Sequence, residues 1–322
     1  MAIPKTAHAT APGKFILFGE HAVVYGEPAL AAPLQSLRAH ASVSYERTEN
    51  RRGLFLTSED ISLRCHYRDL IPTHPLAATV RRALQAVGSS DPPHAHLRLT
   101  STIPMAAGLG SSAATAAAVA QALARFMQRE LSAKQLSTLV FEVEKLQHGI
   151  PSGIDNTVIT HEQPVFFSKG KKTEILKIKR PLSFVLADSG ERSSTKETVA
   201  NVRQRYHHHR KAYQACFEEM GTIARAARTA LADGKSKRLG ELMQRNHVLL
   251  QEIGVSSSSL DRLANAAVRA GAAGAKLSGA GLGGHIIAHV IRGQTDQAVS
   301  ELKAAGARRV FLTELTTSTH DF

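Results

Sequence analysis

Three residues that could carry acid–base chemistry fall within one short block of the sequence. The block "APGKFILFGEHAVVYGEPAL", residues 11–30, places Lys14 at the start of an apolar run and Glu20 and His21 just after it. A cation, an acid and a base thus lie within the length of one strand, and such groups serve general acid–base catalysis. The block taken alone also fits a surface strand with charged ends, and both interpretations stay open.

A second block, residues 102–125, is rich in glycine and serine. It reads "TIPMAAGLGSSAATAAAVAQALAR" and carries no charge before its final arginine. An anion bound here would therefore be held by backbone N–H groups and hydroxyls. Gly108 and Gly110 would let the backbone approach the anion, and the start of the alanine-rich helix predicted at 113–129 would supply unpaired N–H groups and a positive dipole end.

The same block allows two other interpretations. Ser111 and Ser112 could simply cap the helix, and either hydroxyl could also reach a metal on a phosphate. Residues 108–113 also satisfy G-x-G-x-x-G/A, the dinucleotide-binding pattern, and Glu130 has the spacing of its ribose-binding acid. Glu130 follows a helical stretch rather than a second strand, which weakens the dinucleotide alternative.

A third block, "GAGLGG" at 279–284, repeats the G-x-G-x-x-G pattern before strand-forming "HIIAHVI". A following strand rules out the dinucleotide context, and the loop could give way to a nucleotide or to another backbone. His285 and His289 have a metal-like spacing but lack the glutamate and the helix of H-E-x-x-H. The run His207–His209 lies in a basic helical context that favours solvent exposure.

Composition excludes several classes of protein. The 322 residues are 43% hydrophobic and 21% charged, which is ordinary for a globular protein long enough for two lobes. The formal charge of +13 favours acidic partners, but the basic runs near 51, 169–172 and 203–211 are scattered, so no nucleic-acid partner is expected. Two cysteines make no disulfide framework, and no secretory signal or membrane span is recognised, so we expect a cytoplasmic protein.

Strand and helix patterns alternate along the chain, which predicts an α/β or α+β fold. Strands are predicted at 14–18, 41–47, 96–101, 157–160 ("TVIT"), 164–167 ("PVFF"), within 182–190 and after the third glycine block. Helices are predicted at 113–129, from Ser132 to Gly149, and over most of 196–250.

The order of these motifs resembles that of the GHMP kinase superfamily. "APGKFILFGEHAVVYG" is similar to its first motif, "GLGSSAA" to its phosphate loop and "HGIPSGIDN" (148–156) to its catalytic segment. Within the superfamily the chain most resembles the mevalonate kinases, and "DSGERSSTKETV" (188–199) looks like their stretch over the substrate. Leu282 replaces a glycine of the third motif and Ile150 a polar residue of the catalytic segment, departures that touch loop shape and nucleotide affinity.

The resemblance implies an α+β fold of two lobes, at residues 1–185 and 186–322, with the active site in the cleft between them. It implies transfer of the γ-phosphoryl group of ATP to the primary alcohol of mevalonate, with Mg²⁺ as cofactor. Asp155 would accept or orient the alcohol proton, and Lys14 would stabilise the alkoxide. Ser112 and Glu144 would hold the metal, and Glu20, His21 and Thr195 would contact the substrate. The residues that would bind ATP are Pro104, Ala107, Gly108, Leu109, Gly110, Ser111, Ser112 and Ala113.

Other functions remain open at this point. Taken singly, Asp155 could be a turn aspartate and Glu144 a solvated helix residue. A related kinase acting on phosphomevalonate or on the tertiary hydroxyl of mevalonate would share these motifs, as would a ligand sensor without catalysis. A basic nucleic-acid-binding protein is the other alternative, and a steep salt dependence of DNA or RNA affinity would mark it. The small molecules mevalonate and ATP are the expected partners, no membrane is expected, and the sequence leaves a homodimer open.

Overall fold

The computed structural model describes residues 6–45, 53–105, 107–148 and 151–316, with the backbone alone at 147 and 148. Strands and helices are both abundant, which confirms the predicted α+β class. No helix within these ranges is both long and apolar enough to cross a bilayer. Ile150, one of the two departures from the family pattern, lies outside the described residues.

The secondary-structure elements are numbered along the chain. The strands are β1 (Thr6–Phe18), β2 (Ala29–Ser44), β3 (Leu54–Ser58), β4 (Leu63–His66), β5 (Ala95–Ser101), β6 (Val165–Phe167), β7 (Glu174–Ile175), β8 (Leu182–Asp188), β9 (Gly274–Ser278), β10 (His285–Val290) and β11 (Arg309–Leu315). The α-helices are α1 (Pro75–Ala86), α2 (Ser111–Phe126), α3 (Ala133–His148), α4 (Ile154–His161), α5 (Thr195–His208), α6 (Arg210–Asp233), α7 (Ser236–Glu252), α8 (Ser258–Arg269) and α9 (Thr295–Ala304). Short 3₁₀ turns lie at Ala22–Tyr25 and Tyr67–Asp69.

The chain divides into two compact units, each built from two stretches of sequence. The first contains residues 1–14 and 37–162, and the second contains residues 15–36 and 163–322. Strands β1 and β2 each begin in one unit and end in the other. The lobes expected from the sequence, 1–185 and 186–322, stay a prediction.

The sheet of the first unit runs in the order β4-β3-β5-β2. Strand β3 is parallel to β5, whereas β4 and β2 pair antiparallel with their neighbours. The predicted strand at 96–101 is confirmed as β5, whose apolar residues Leu97 and Leu99 are buried while Arg98 and Thr100 are exposed. The alternation in sequence therefore reflects one face packed and one face in water.

Helix α2 explains the run of alanines after the first glycine pair. It packs against α1, α3, α4 and β5, so nearly every side of the helix is covered. Ala113, Ala114 and Ala116–Ala118 are all 3% exposed or less. Small side chains fill the narrow spaces between such closely packed elements without voids, which is why alanine serves here.

The strand predicted at 157–160 is wrong, because "TVIT" belongs to helix α4. The β-branched residues suggest a strand, but both threonine hydroxyls bond back within the helix, Thr157 to the Gly153 carbonyl at 2.7 Å and Thr160 to the Asn156 carbonyl at 2.7 Å. Val158 is fully buried, and the helix packs against α2 and α3. Tertiary packing overrides the local preference.

The sheet of the second unit is antiparallel throughout, in the order β11-β8-β10-β9. The central strands β8 and β10 are buried along most of their length, which accounts for the near-continuous apolar runs "LSFVLAD" and "HIIAHV". Helices α7 and α8 pack on β9, and α9 packs on β8 and β11. The predicted helices across 196–250 are confirmed as α5, α6 and α7, and "PVFF" is confirmed as β6.

Candidate active site

The first glycine-rich loop leads directly into helix α2. Gly108 and Gly110 both adopt left-handed backbone conformations, with φ of +72° and +75°. Gly110 occupies the N-cap position of α2 and no side chain caps the helix. The first N–H groups of a helix have no partner within it, so this helix start can donate to an anion. The alternative in which Ser111 or Ser112 caps the helix is wrong.

Lys14 is tied to this loop by its backbone and by its side chain. Its N–H donates to the Leu109 carbonyl at 2.9 Å. A Cβ built on Gly110 would lie 2.9 Å from Cγ of Lys14 and 2.9 Å from Cδ1 of Ile159. Glycine at 110 is therefore required both by its positive φ and by the close approach of the lysine stem.

Lys14 and Asp155 form an ion pair within the first unit. The Nζ of Lys14 lies 3.2 Å from Oδ1 of Asp155. Lys14 is buried, whereas the Asp155 side chain is 33% exposed and so can be reached by a ligand. Asp155 lies in the first turn of α4, after Gly153 turns the chain with a φ of +87°. The structure thus brings together a carboxylate and a cation that lie far apart in sequence.

Ser112 and Glu144 form a second polar pair, between α2 and α3. The Ser112 hydroxyl donates to Oε1 of Glu144 at 2.7 Å. Glu144 is only 5% exposed, so it is not a solvated helix residue. A buried carboxylate beside a hydroxyl offers two oxygen ligands to a hard divalent cation. No cluster of three or more His, Cys, Asp or Glu side chains that could hold a metal is found across the described ranges.

A cavity of about 330 Å³ lies in the first unit beside Ser111 and Ser112. Its lining comes from β3, β5, α1, α2 and α3, and includes Leu76, Leu99, Met105, Ser111, Ser112 and Val143. Asp60 also lines it and accepts a hydrogen bond from the Ser101 N–H at 2.6 Å. Sequence reasoning missed this cavity, because its walls come from separate elements that no local pattern connects.

In the second unit, Glu20 is paired with a buried lysine that the sequence did not single out. The Lys276 ammonium donates to Oε1 of Glu20 and to the Leu277 carbonyl, the latter at 2.6 Å. Lys276 has no exposed surface, and Glu20 is 5% exposed. Burial raises the pKa of Glu20 and lowers that of Lys276, while the attraction between the two opposes both shifts. The signal for Lys276 was present: a lone cation in a strand of small and apolar residues, "GAKLS".

His21 follows Glu20 in a strained conformation, with φ of +60°. Its Nε2 lies 2.7 Å from the Ala280 carbonyl, and a carbonyl only accepts, so Nε2 carries the proton. Burial lowers the pKa of His21, which favours the neutral ring. Its Nδ1 is then a hydrogen-bond acceptor.

The third glycine block, 279–284, is held to its neighbours by hydrogen bonds to its own backbone. The Ser193 hydroxyl donates to the Gly281 carbonyl at 2.5 Å, and the Ser189 N–H donates to the Gly284 carbonyl at 2.8 Å. Leu282 adopts a φ of +53° in place of the usual glycine, and its N–H donates to the Val255 carbonyl at 2.7 Å. The backbone at Val255 thus approaches this loop closely.

Thr195 begins helix α5 and its side chain is exposed. The preceding Ser194 caps the helix by accepting from the Glu197 N–H at 3.3 Å. Within the described part of the chain, no hydrogen bond joins Thr195 to Glu20 or His21. The structure therefore assembles Glu20 and His21 on the third glycine block, while Thr195 stands apart from them in the hydrogen-bond network.

Comparison with known proteins agrees with the motifs. The model of the GHMP kinases N terminal domain matches residues 76–162, and that of the GHMP kinases C terminal domain matches residues 227–311. The mevalonate kinase of Pyrococcus abyssi is 34% identical over 94% of both chains, and that of Pyrococcus horikoshii is 36% identical over 92% of both. The crystal structure of L. major mevalonate kinase in complex with R-mevalonate matches 99% of both chains with a TM-score of 0.84 and 25% identity. This chain belongs to the GHMP kinase family, among the mevalonate kinases.

Proposed function

We propose that this protein transfers the γ-phosphoryl group of ATP to the primary alcohol of mevalonate. The observation that carries the proposal is the Lys14–Asp155 pair, 3.2 Å apart, whose lysine is bonded through its backbone to the first glycine loop. Phosphoryl transfer depends on positioning the nucleophile and neutralising charge on the phosphoryl oxygens. A carboxylate and a cation beside a phosphate-binding helix start meet both needs.

Asp155 is the residue proposed to accept the proton of the alcohol. Its carboxylate is partly exposed, so a substrate hydroxyl can reach it, and the buried Lys14 ammonium lies 3.2 Å away. The same ammonium would stabilise the negative charge that develops on the substrate oxygen. Lys14 would thus interact both with the base, Asp155, and with the attacking oxygen of the substrate.

The triphosphate is proposed to lie along Gly108–Ala113, where glycines expose the backbone and α2 presents its first N–H groups. The loop also includes Pro104, Ala107 and Leu109. The neighbouring cavity of about 330 Å³ is within the size range of ligand pockets and would take the nucleoside. Ser112 and Glu144 fit a Mg²⁺ ion, since both present oxygen and Mg²⁺ keeps several waters and phosphate oxygens as its other ligands. When bound, the ion would neutralise charge on the phosphate oxygens.

Glu20, His21 and Thr195 are proposed to contact mevalonate. One carboxylate oxygen of Glu20, Oε2, is buried without a hydrogen-bond partner among the described residues, and His21 keeps Nδ1 as an acceptor. Both can accept a hydrogen bond from a substrate hydroxyl.

The two cysteines are free thiols, which agrees with the proposed cytoplasmic location. Sedimentation equilibrium would test whether the protein forms a homodimer.

The test is an assay of ADP release with mevalonate, coupled to a reporter reaction. The wild-type chain should turn over, and Asp155→Asn should lower kcat by roughly 10²–10⁴-fold, the usual contribution of a general base. Asp296→Asn is the matched control, because Asp296 lies in the first turn of another helix, α9, and is exposed. No turnover with mevalonate, together with turnover of phosphomevalonate or a sugar, would overturn the substrate assignment.

A further inference from the structure

A second cavity, of about 660 Å³, lies in the second unit. It is bordered by the start of β8, the end of β10, the turn between α6 and α7, and β11. Its polar lining residues are Arg180, Ser183, Ser236, His289, Arg292 and Glu314. None of them has a part in the phosphoryl transfer proposed above.

His289 forms the floor of this cavity with a defined tautomer. The ring is 2% exposed, and its Nδ1 lies 2.9 Å from the Ser183 carbonyl. Because a carbonyl oxygen only accepts, Nδ1 carries the proton and Nε2 presents a lone pair. Burial lowers the pKa of His289, which keeps the ring neutral and leaves Nε2 as a hydrogen-bond acceptor.

Ser236 meets that lone pair. Its hydroxyl lies 2.5 Å from Nε2 of His289, so the hydroxyl donates and the ring accepts. A hydroxyl bonded to a histidine that a third group orients is the arrangement of an activated nucleophile. Here the third group is the Ser183 carbonyl.

The charges around the cavity favour an anionic reactant. Arg180 and Arg292 line it, and neither forms an ion pair or hydrogen bond with any described residue. The nearby Lys179 and Lys235 are both paired with Asp233, at 2.8 and 3.3 Å, and Glu314 is the one acidic residue among the polar lining residues given above. Guanidinium groups bind phosphate oxygens through two parallel N–H donors, so free arginines favour a phosphoryl group.

We propose that Ser236 is a nucleophile and a modification site, and that the cavity accepts a small acyl phosphate as phosphoryl donor. The Ser236 oxygen attacks phosphorus, forming an O–P bond as the bond from phosphorus to the acyl oxygen breaks. The carboxylate leaves with that electron pair, and the serine proton passes to Nε2 of His289 and then to water. The product is phosphoserine, with no change of oxidation state.

The phosphorylated product would be stabilised where it forms. Arg180 and Arg292 line the same cavity as Ser236 and would face the new dianion. Ser236 is also the first residue of the 17-residue helix α7, and negative charge is favourable at that end of a helix. Arginines and helix start together favour the phosphorylated state over the free hydroxyl.

The full chain contains its own matched control, Ser258. That serine is the first residue of helix α8, as Ser236 is of α7, but it is exposed and has no histidine partner among the described residues. The protein is incubated with acetyl phosphate in the absence of ATP, and phosphorylation of the two serines is compared by peptide mass spectrometry. Ser236 should be phosphorylated at least about tenfold faster than Ser258. Equal rates, or no phosphate on Ser236, would overturn the proposal.

Two variants and a neutral probe separate the base from the arginines. Arg292→Gln alters an exposed residue, and should slow phosphorylation by acetyl phosphate about fivefold or more while leaving labelling by diisopropyl fluorophosphate unchanged. His289→Gln, if its thermal unfolding shows a folded protein, should slow both reactions about tenfold or more. If diisopropyl fluorophosphate labels Ser236 but acetyl phosphate never does, the assignment of an acyl phosphate as donor is overturned. If a folded His289→Gln variant reacts as fast as the wild type, the role of His289 is overturned. If that variant does not fold, an Arg292→Gln rate equal to wild type overturns the proposal.

Discussion

The glycine-rich loops at 108–113 and 279–284 share one sequence pattern but differ in what surrounds them. In the first loop, a Cβ built on Gly108 would meet no atom within 4 Å. In the second, a Cβ on Gly281 would lie 2.0 Å from the Val255 carbonyl oxygen. At Gly108 the first loop faces open space, whereas at Gly281 the second loop is packed against backbone.

The bonding of the two loops differs in the same way. The first is followed by helix α2, whose first N–H groups have no partner within the helix. The second loop is followed by strand β10, and the loop carbonyls accept hydrogen bonds from the His21 ring and the Ser193 hydroxyl. The G-x-G-x-x-G/A pattern thus encodes a backbone that tolerates positive φ and close approach, while the next element decides whether a ligand or the protein itself approaches.

At the first loop, Ser112→Ala should lower turnover far more than stability. Loss of the hydroxyl proposed to hold Mg²⁺ should lower kcat by about 100-fold, whereas the free energy of unfolding should fall by only about 1 kcal/mol, since one hydrogen bond to Glu144 is lost and no helix cap is removed. Ser111→Ala is the control: it keeps the backbone N–H through which this residue is proposed to bind phosphate, so it should leave turnover within about threefold of wild type. Steady-state kinetics and urea unfolding test this, and proportionate losses of activity and stability in Ser112→Ala would contradict it.

In strand β9, which leads into the packed loop, Lys276→Met tests the buried ion pair with Glu20. Removing the ammonium leaves a buried carboxylate without its cation, which should lower the free energy of unfolding by about 3–5 kcal/mol. The double variant with Glu20→Gln removes the buried charge and should recover more than half of that loss. A loss below about 1 kcal/mol in the single variant would show that the pair does not stabilise this loop.

His285, the residue directly after the packed loop, should make stability fall in acid. Burial lowers its pKa from 6.5 to about 4, and Nε2 has no hydrogen-bond partner among the described residues. As the pH falls, His285 is therefore protonated in the unfolded chain before it is protonated in the folded protein. This difference should lower the free energy of unfolding by about 3 kcal/mol between pH 6.5 and pH 4. His285→Leu should remove that dependence in urea unfolding. The neighbouring Asp188, whose pKa the Arg192 and Arg309 guanidiniums lower to about 2, should lose its contribution only between pH 3.8 and 2.

The two loops are compared directly by Gly281→Ala and Gly108→Ala. Both glycines have positive φ, +87° and +72°, so both substitutions carry backbone strain of about 1 kcal/mol. Only Gly281→Ala adds a clash with a carbonyl oxygen, which should raise its cost to about 3 kcal/mol. Equal losses in thermal or urea unfolding would contradict the distinction between an open and a packed loop.

Local patterns predicted the fold well where one preference dominated. The alternating strand at β5 and the long helices α5, α6 and α7 follow from periodicity and composition. Helix α4 was missed because β-branched "TVIT" favours a strand, and only packing against α2 and α3 makes it helical. The Lys276–Glu20 pair was missed because the two residues are distant in sequence and become a pair only when β9 is folded.

The sequence by itself determined which groups are present and where the backbone can bend: Lys14, Asp155, Ser112 and Glu144 on their motifs, and glycines at the turns. The resemblance to a kinase family rests on those residue types and their order along the chain. Only the tertiary structure decided which groups meet, placing Lys14 3.2 Å from Asp155 and the Ser112 hydroxyl 2.7 Å from Glu144. It also decided that the backbone faces open space at Gly108 and meets the Val255 carbonyl at Gly281. The physical reason is that hydrogen bonds, ion pairs and steric contacts act over a few ångströms in space, and only packing brings residues distant in the chain within that range.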